Sequence, residues 1–257
     1  MVASWNNVDV LGVPVAALTA REAVMLCEQT IARRNVLLIG VVNAAKIVNM
    51  RRDARLDDAV RTSDIIFADG AAVVWASRLL GRPLPERVTG IDLMHELLAL
   101  AHRRRYRVYL LGATDDVLAV TVQRMRELYP NAEIAGYRNG YFSEEKNEEV
   151  ADEIASARPD MLFVAMSPPK KEVFLGRYAR RMNVPICHGV GGAFDVMAGK
   201  VKRAPLFWQR WGLEWLYRVL QEPRRMWKRY LVTNTLFCSM LLRELLLPRR
   251  AARKAVS

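Results

Sequence analysis

The sequence of 257 residues has few cysteines and histidines, and neither set is spaced as metal ligands. Cys27, Cys187 and Cys238 lie far apart, are odd in number and form no C-x-x-C motif. We therefore expect them to be small buried residues in a reducing cytoplasm, without disulfides. No Asp-x-Asp pair is placed to bridge a metal and a diphosphate. These absences predict a protein with no metal site and no cofactor.

Two common nucleotide-binding motifs are also missing. No G-x-G-x-x-G follows the first apolar strand, which argues against a nicotinamide cofactor. The segment 199–201 is similar to the end of a P-loop, but Phe194 stands where that loop needs its first glycine. Val201 stands where it needs serine or threonine. Any phosphate charge would then be met by side-chain cations and backbone N–H groups.

No apolar run is long enough to span a bilayer, which takes ~20 mostly apolar residues. The most apolar late stretch, 231–247, is interrupted by polar and charged residues. The N-terminus has neither a basic region nor an apolar run, so we expect no signal peptide. A hydrophobic content of 52% and a mean hydropathy of +0.00 are typical of a folded protein. Lying on a membrane fits this composition, whereas crossing it does not.

Acidic residues are scarce in the last quarter of the chain. Residues 196–257 hold 14 Lys and Arg against 3 Asp and Glu, a net charge of +11, whereas the rest holds 25 against 24. Four of the six tryptophans (Trp208, Trp211, Trp215, Trp227) lie in this basic part. Such a tail suits anionic lipids, phosphates or nucleic acid. We predict a body over 1–199 and a basic, aromatic-rich helical appendage over 200–257.

Short apolar runs alternate with amphipathic helical stretches along the body. The strand candidates are Val36–Val41, Ile65–Ala68, Arg107–Leu111, Glu133–Ala135, Asp160–Ala165 and Pro185–Val190. Continuous apolar strands separated by helices predict a Rossmann-like, mostly parallel sheet with helices on both faces. In the appendage, 206–220 and 224–246 are predicted helices, separated at Glu222-Pro223.

Polar or glycine-rich residues follow each predicted strand, where open α/β sheets bind their ligands. This rim contains Asn43, Asp69-Gly70, Gly112, Gly140-Tyr141, 167–172 and 189–192. It suits a nucleotide or a sugar phosphate.

Two positions on this rim leave alternatives open. Asp69 directly follows an apolar strand, so it is either a general base or a cap of the next helix. Lys170 and Lys171 lie in the first turn of a helix, where cations oppose the macrodipole. They mark an anion site or a solvated surface pair.

The rim residues belong to a longer series of motifs that resembles a known family. Asn43 and Asp69-Gly70 are followed by PERVTGIDL (85–93), GYF (140–142), PPKKE (168–172), GVGGAFD (189–195), RAP (203–205), GLEWLYR (212–218) and EPRR (222–225). The order is similar to that of the WecG/TagA/CpsF group, glycosyltransferase family 26, and the resemblance covers about residues 7–246.

The resemblance implies a metal-independent, inverting transfer of a hexose or N-acetylhexosamine (or its uronate) from a UDP-sugar to a polyprenyl-diphosphate-linked sugar. The enzyme would be cytoplasmic and peripheral, on the inner, anionic face of the membrane, and a homo-oligomer stays open. Asp69 matches the family's base, Asn43 its companion and Arg87 a pocket arginine. The substrate-binding positions are Gly70, Gly112, Tyr141, Lys171, Gly191, Asp195 and the appendage cations Arg218, Arg225 and Lys228.

Three positions depart from the family pattern. Val41 replaces a common threonine, Lys171 a glutamine and Lys228 an arginine. The glutamine-to-lysine exchange puts a point charge where an amide is usual, and we expect an exopolysaccharide-type member. Two other classes stay open, namely a non-catalytic scaffold of a polysaccharide assembly complex and a nucleic-acid-binding protein. A nucleic-acid-binding protein would have no use for the near-neutral body and its polar rim. We therefore expect no nucleic acid as partner.

Overall fold

A computed structural model describes residues 5–221 and 223–247 of the chain. Eight strands lie within these residues: β1 (Asn7–Val10), β2 (Val13–Ala16), β3 (Leu37–Val42), β4 (Ile65–Ala68), β5 (Arg107–Gly112), β6 (Glu133–Arg138), β7 (Met161–Ala165) and β8 (Ile186–Gly189). Six of them form one sheet in the order β4-β3-β8-β7-β5-β6, and every pairing in it is parallel. The predicted parallel sheet is confirmed.

Helices cover both faces of this sheet. Those of the body are α1 (Ala20–Ala32), α2 (Ala44–Met50), α3 (Ala54–Arg61), α4 (Ala71–Leu79), α5 (Gly90–Arg104), α6 (Asp115–Leu128), α7 (Asn147–Ala157), α8 (Lys170–Met182) and α9 (Ala193–Met197), with a 3-10 turn at Glu144–Lys146. Successive strand residues point to opposite faces. Ile39 thus belongs to an apolar cluster with side chains of α1, α5, α6 and α9, and Leu38 belongs to another with side chains of α7 and α8. Burial on both faces explains why the strands are continuously apolar.

The chain begins with a β-hairpin that the sequence analysis did not predict. β1 and β2 pair antiparallel, and the hairpin packs beside β4 and α4. Its two-residue turn has positive φ at both positions, 54° at Leu11 and 81° at Gly12. A leucine there is unusual, because the left-handed region penalises a side chain.

The described part of the appendage, 200–221 and 223–247, contains three helices: α10 (Leu206–Arg210), α11 (Glu214–Gln221) and α12 (Pro223–Leu246). The single helix predicted over 206–220 is wrong, because the backbone turns left-handed at Gly212, where φ is +68°. α12 packs against α2, and Phe237 is buried in the same apolar cluster as Ile47. The domain boundary near Gly199 stays a prediction.

Two further sequence expectations bear on the appendage. Cys27 and Cys187 are buried as expected, but Cys238 is exposed, because it lies on a different side of α12 from its buried neighbour Phe237. Within residues 5–221 and 223–247, no helix has the length and apolar composition needed to cross a membrane.

Candidate active site

Asn43 and Asp69-Gly70 meet at the carboxyl edge of the sheet, because β3 and β4 are neighbours. Asn43 caps α2, and its Oδ1 accepts from the Lys46 amide at 2.9 Å. A Cβ on Gly70 would lie 3.0 Å from the Asn43 Cβ, which is shorter than an ordinary van der Waals contact. Glycine at position 70 therefore lets the backbone that follows Asp69 approach Asn43 closely.

Asp69 is held by the start of α5 rather than by the helix that follows it. Its Oδ1 accepts from the Gly90 amide at 2.9 Å, whereas the N-cap of α4 is Gly70. The proposed cap of the following helix is thus wrong. A carboxylate at a helix N-terminus interacts favourably with the helix dipole, and the bond to Gly90 fixes its orientation.

The backbone of Gly90 also contacts the buried imidazole of His188. His188 on β8 is fully buried, and its Nε2 lies 3.1 Å from the Gly90 carbonyl oxygen. Burial lowers the pKa of His188 to about 4, so the ring is neutral at pH 7. Since a carbonyl can only accept, Nε2 carries the proton. The neutral His188 therefore supports the turn that orients Asp69.

An ion pair ties the start of α5 to the segment leading into the appendage. Arg203 contacts both carboxylate oxygens of Asp92 at 2.6 and 2.8 Å, and the Thr89 hydroxyl donates to the same group. Burial alone would raise the pKa of Asp92, but the bonds from Arg203 and Thr89 lower it overall. The side chain is therefore charged at neutral pH.

Two more contacts seat the appendage beside Asp69. Arg87, the predicted pocket arginine, pairs with Glu214 of α11 at 3.1 Å. A Cβ on Gly212 would lie only 2.5 Å from the Ala71 Cβ at the start of α4. The turn between α10 and α11 consequently lies against the start of α4, which begins two residues after Asp69.

Lys171 belongs to a buried charge cluster, which we define as Lys46, Lys171 and Glu172. Both ammonium groups contact Oε1 of Glu172, with Lys46 at 2.8 Å. Glu172 Oε2 is buried without a hydrogen-bond partner among the described residues. The prediction of a solvated surface lysine is wrong at this position, because Lys171 is 5% exposed.

The cluster alters the acidity of its members. Burial, followed by repulsion from Lys46, lowers the pKa of Lys171 to about 8, although Glu172 and Asp69 act in the opposite direction. Burial raises the pKa of Glu172, but Lys46 and Lys171 outweigh it and lower that pKa overall. The cluster thus carries about one net positive charge, near enough to Asp69 for Lys171 and Asp69 to interact.

Lys170 has a different task from its neighbour. Its ammonium donates to the carbonyls of Gly140 and Phe142 at 2.9 and 2.8 Å and lies 4.3 Å from the centre of the Phe142 ring. It therefore fastens the loop after β6, which carries Tyr141 with 77% of its surface exposed. Gly112 ends β5 nearby with φ of +129°, and a Cβ there would lie 2.3 Å from the Ala165 oxygen.

Two of the remaining predicted residues, Gly191 and Asp195, follow β8 at the same edge, and the other three lie on α11 and α12. Gly191 has φ of +56° and open space around it, and Asp195 lies in the first turn of α9. Lys228 is exposed on α12. Arg218 lies on α11 and Arg225 on α12, but their side chains fall outside the described residues. The structure thus brings Asn43, Asp69 and Gly70 together, and it places Arg87 next to Val88, whose amide donates to the carbonyl of Ala68.

Sequence reasoning missed several residues of this site. Glu172, Asp92, Arg203 and Glu214 stood inside quoted motifs without a role, and their partners could only be found in three dimensions. No sequence signal indicated that Lys46 would lie in the charge cluster. Among residues 5–221 and 223–247, no group of three metal-ligating side chains could hold an ion, and metal independence stays a prediction.

Asp69 and Asn43 thus lie together at the carboxyl edge of a parallel sheet, the edge at which open α/β sheets bind their ligands. Residues 8–251 match the Glycosyl transferase WecG/TagA/CpsF family. The chain belongs to this family, and it is a glycosyltransferase.

The chain is similar to three proteins that share one name, N-acetylglucosaminyldiphosphoundecaprenol N-acetyl-beta-D-mannosaminyltransferase. The identity to the Bacillus spizizenii protein is 42%, over 70% of this chain and 69% of that protein. For the Bacillus subtilis protein it is 40%, over 76% and 75%. For the Staphylococcus aureus protein it is 35%, over 87% and 86%.

Proposed function

We propose that this enzyme transfers an N-acetylhexosamine unit from a UDP-sugar to a polyprenyl-diphosphate-linked sugar in bacterial cell-surface polysaccharide synthesis. The names of the three relatives describe such an amino sugar and such a lipid-linked acceptor. The observation that carries the proposal is the position of Asp69 beside Asn43, with its Oδ1 fixed by the Gly90 amide; we assign the substrate proton to Oδ2.

In the proposed reaction, Asp69 takes the proton of an acceptor hydroxyl as the hydroxyl oxygen bonds to the anomeric carbon of the donor. The bond from that carbon to the diphosphate oxygen breaks, and UDP leaves with the electron pair. One displacement inverts the anomeric centre. A positioned base typically contributes ~10²–10⁴ in rate, and the bond from Gly90 provides the positioning.

Cations stabilise the departing diphosphate in this proposal, in place of a metal. Arg87 pairs with Glu214 of α11, and Arg218, Arg225 and Lys228 belong to α11 and α12. Fixed cations at a site of developing negative charge lower the barrier without reorganisation. The charge cluster contributes through its electric field rather than by direct contact with the diphosphate, because Lys171 is buried.

The acceptor requires the enzyme to work at a membrane surface. The appendage exposes large apolar side chains, with Phe207 at 65%, Trp211 at 62% and Trp227 at 53%. Aromatic and basic residues together favour the interface of an anionic bilayer, at ~1 kcal/mol per basic residue near the surface. We therefore propose a peripheral protein on the inner face of the cell membrane.

The test is turnover with a panel of UDP-sugars and a short-chain, water-soluble polyprenyl diphosphate acceptor. UDP-N-acetylmannosamine and its uronate should be compared first. We expect one donor to give a disaccharide product by mass spectrometry, and Asp69→Asn to give none. The variant is a matched control, because an asparagine oxygen can still accept from Gly90. Equal turnover by both proteins would remove Asp69 from the mechanism, and no product from any donor would refute the proposed reaction.

A further inference from the structure

The outward face of α4 combines aromatic, apolar and basic side chains. Trp75 is 50% exposed and Leu79 63% exposed, and the exposed Arg78 lies between them. Residues at i, i+3 and i+4 share one side of a helix. The opposite side of α4, with Val73, Val74, Ala76 and Ser77, is buried in the body. The α4 face, defined as Trp75, Arg78 and Leu79, therefore belongs to the body but has the composition of an interfacial helix.

The α4 face is continuous with the aromatic surface of the appendage. A Cβ on Gly212 would lie 3.4 Å from Cζ2 of Trp75, so the two chain segments are in contact. The residue before it, Trp211, is exposed and pairs with the exposed Phe207, with ring centres 6.2 Å apart. One apolar surface thus extends from α10 across the turn at Gly212 onto α4.

We infer that the α4 face is a membrane contact of the body itself, and that its partner is an anionic bilayer. Tryptophan favours the level of the lipid headgroups, arginine meets their phosphates, and leucine reaches the acyl boundary. α4 contains no acidic residue that would repel an anionic surface. The inference rests on the proposed function, because a lipid-linked acceptor gives the body a reason to touch the membrane.

The position of α4 explains what this contact would achieve. α4 begins two residues after Asp69 and is nine residues long, about 13 Å at 1.5 Å per residue. A bilayer lying on the α4 face is consequently within about one helix length of the base. The acceptor diphosphate, which lies at headgroup level, could then bring its sugar to Asp69 without leaving the membrane.

The test uses the full chain and sedimentation with vesicles that contain phosphatidylglycerol. The variants are Leu79→Ser alone and Trp75→Ser with Leu79→Ser. Since Trp75 also contacts the turn at Gly212, the single variant separates lipid contact from loosening of the appendage. The matched control is Val120→Ser with Leu128→Ser, two exposed residues of α6 on the other face of the sheet.

We expect vesicle binding to fall roughly 10-fold in the double variant and by a smaller factor in Leu79→Ser, since apolar contact adds to electrostatic attraction. The control pair should bind like the wild type. Brominated lipids should quench wild-type fluorescence more than that of Trp75→Phe. Unchanged binding of both α4 variants would overturn the inference. So would a change of oligomeric state in sedimentation velocity without lipid, with vesicle binding intact, because the face would then join two copies of the chain.

Turnover with the soluble acceptor separates this inference from the proposed function. Leu79→Ser should keep that turnover, since Leu79 is exposed on the side of α4 that faces away from the body. Wild-type turnover combined with unchanged vesicle binding of the variants would refute the membrane contact alone. Absence of wild-type turnover would refute the proposed reaction, whatever the vesicles show.

Discussion

Replacing Lys171 by glutamine should stabilise the protein, although it removes a residue from a buried ion pair. Burial and the neighbouring Lys46 lower the pKa of Lys171 from 10.5 to about 8. The charged form is therefore less favourable in the folded chain than in the unfolded one. At 1.36 kcal/mol per pKa unit, this difference corresponds to about 3 kcal/mol at pH 7. Glu172 keeps Lys46 as a partner, and the new amide can donate to it.

We expect Lys171→Gln to raise the free energy of unfolding at pH 7 by about 1–3 kcal/mol, because lost packing offsets part of the gain. Between pH 8 and 10.5 the unfolded wild type holds a proton that the folded wild type has lost. Wild-type stability thus rises with pH in this window, and its deficit relative to the variant shrinks. Urea unfolding at pH 7 and pH 9.5, followed by circular dichroism, measures both effects.

Two control variants, one at an exposed lysine and one at the partner carboxylate, accompany this experiment. Lys202→Gln removes an exposed lysine and should change stability by less than about 0.5 kcal/mol. Glu172→Gln leaves two buried ammonium groups without their carboxylate and should destabilise by about 3–5 kcal/mol. A Lys171→Gln protein that is less stable at pH 7, or a gap that is the same at both pH values, would refute the reasoning.

The same variant bears on the donor. We expect Lys171→Gln to weaken binding of the true donor, measured by isothermal titration calorimetry with UDP and with UDP-sugars. Equal losses for UDP and for every UDP-sugar would point to the diphosphate, and a larger loss for a uronate donor to the sugar. Unchanged affinity throughout would exclude Lys171 from substrate binding.

Three further outcomes follow from the site and the core. Asp69→Asn should abolish transfer while UDP affinity, measured by calorimetry, stays within about threefold; near-normal turnover would contradict this. Wild-type stability should fall from pH 6.5 to 4, since unfolding lets His188 take up a proton, by up to about 3 kcal/mol. His188→Gln should remove that slope in pH-dependent urea unfolding, and an unaltered slope would assign it elsewhere. Phe237→Ala should cost about 3 kcal/mol and Leu231→Ala, at an exposed site, almost nothing; equal thermal shifts would mean that α12 is not packed on α2.

The sheet could be predicted from sequence because its signal is local. β4 was predicted at Ile65–Ala68 and forms there, since an apolar run is bounded on both sides by aspartates. The hairpin of β1 and β2 escaped because its turn is Leu11-Gly12, without the asparagine or aspartate that usually marks a two-residue turn. The break at Gly212 escaped because periodicity alone does not show where φ becomes positive.

The rim of the candidate site was predictable and the groups behind it were not. Asn43 and Asp69 meet because neighbouring parallel strands end at one edge, a rule that holds without coordinates. Lys46 and Glu172, by contrast, are 126 residues apart in sequence. Only the packing of α8 beside β3 brings them together, so the sequence could not distinguish a buried lysine from a solvated one.

The two ion pairs between the body and the appendage set a condition for building chimeric enzymes. Arg203 holds Asp92, and Glu214 holds Arg87, so each pair joins a residue before position 93 to one after position 202. A graft that exchanges only the C-terminal segment between relatives would keep Asp92 and Arg87 from this chain but replace Arg203 and Glu214 by residues of the relative. Both ion pairs would then combine residues from two different proteins. Designs that aim to retarget such an enzyme to another lipid-linked acceptor should therefore transplant residues 85–93 together with the appendage.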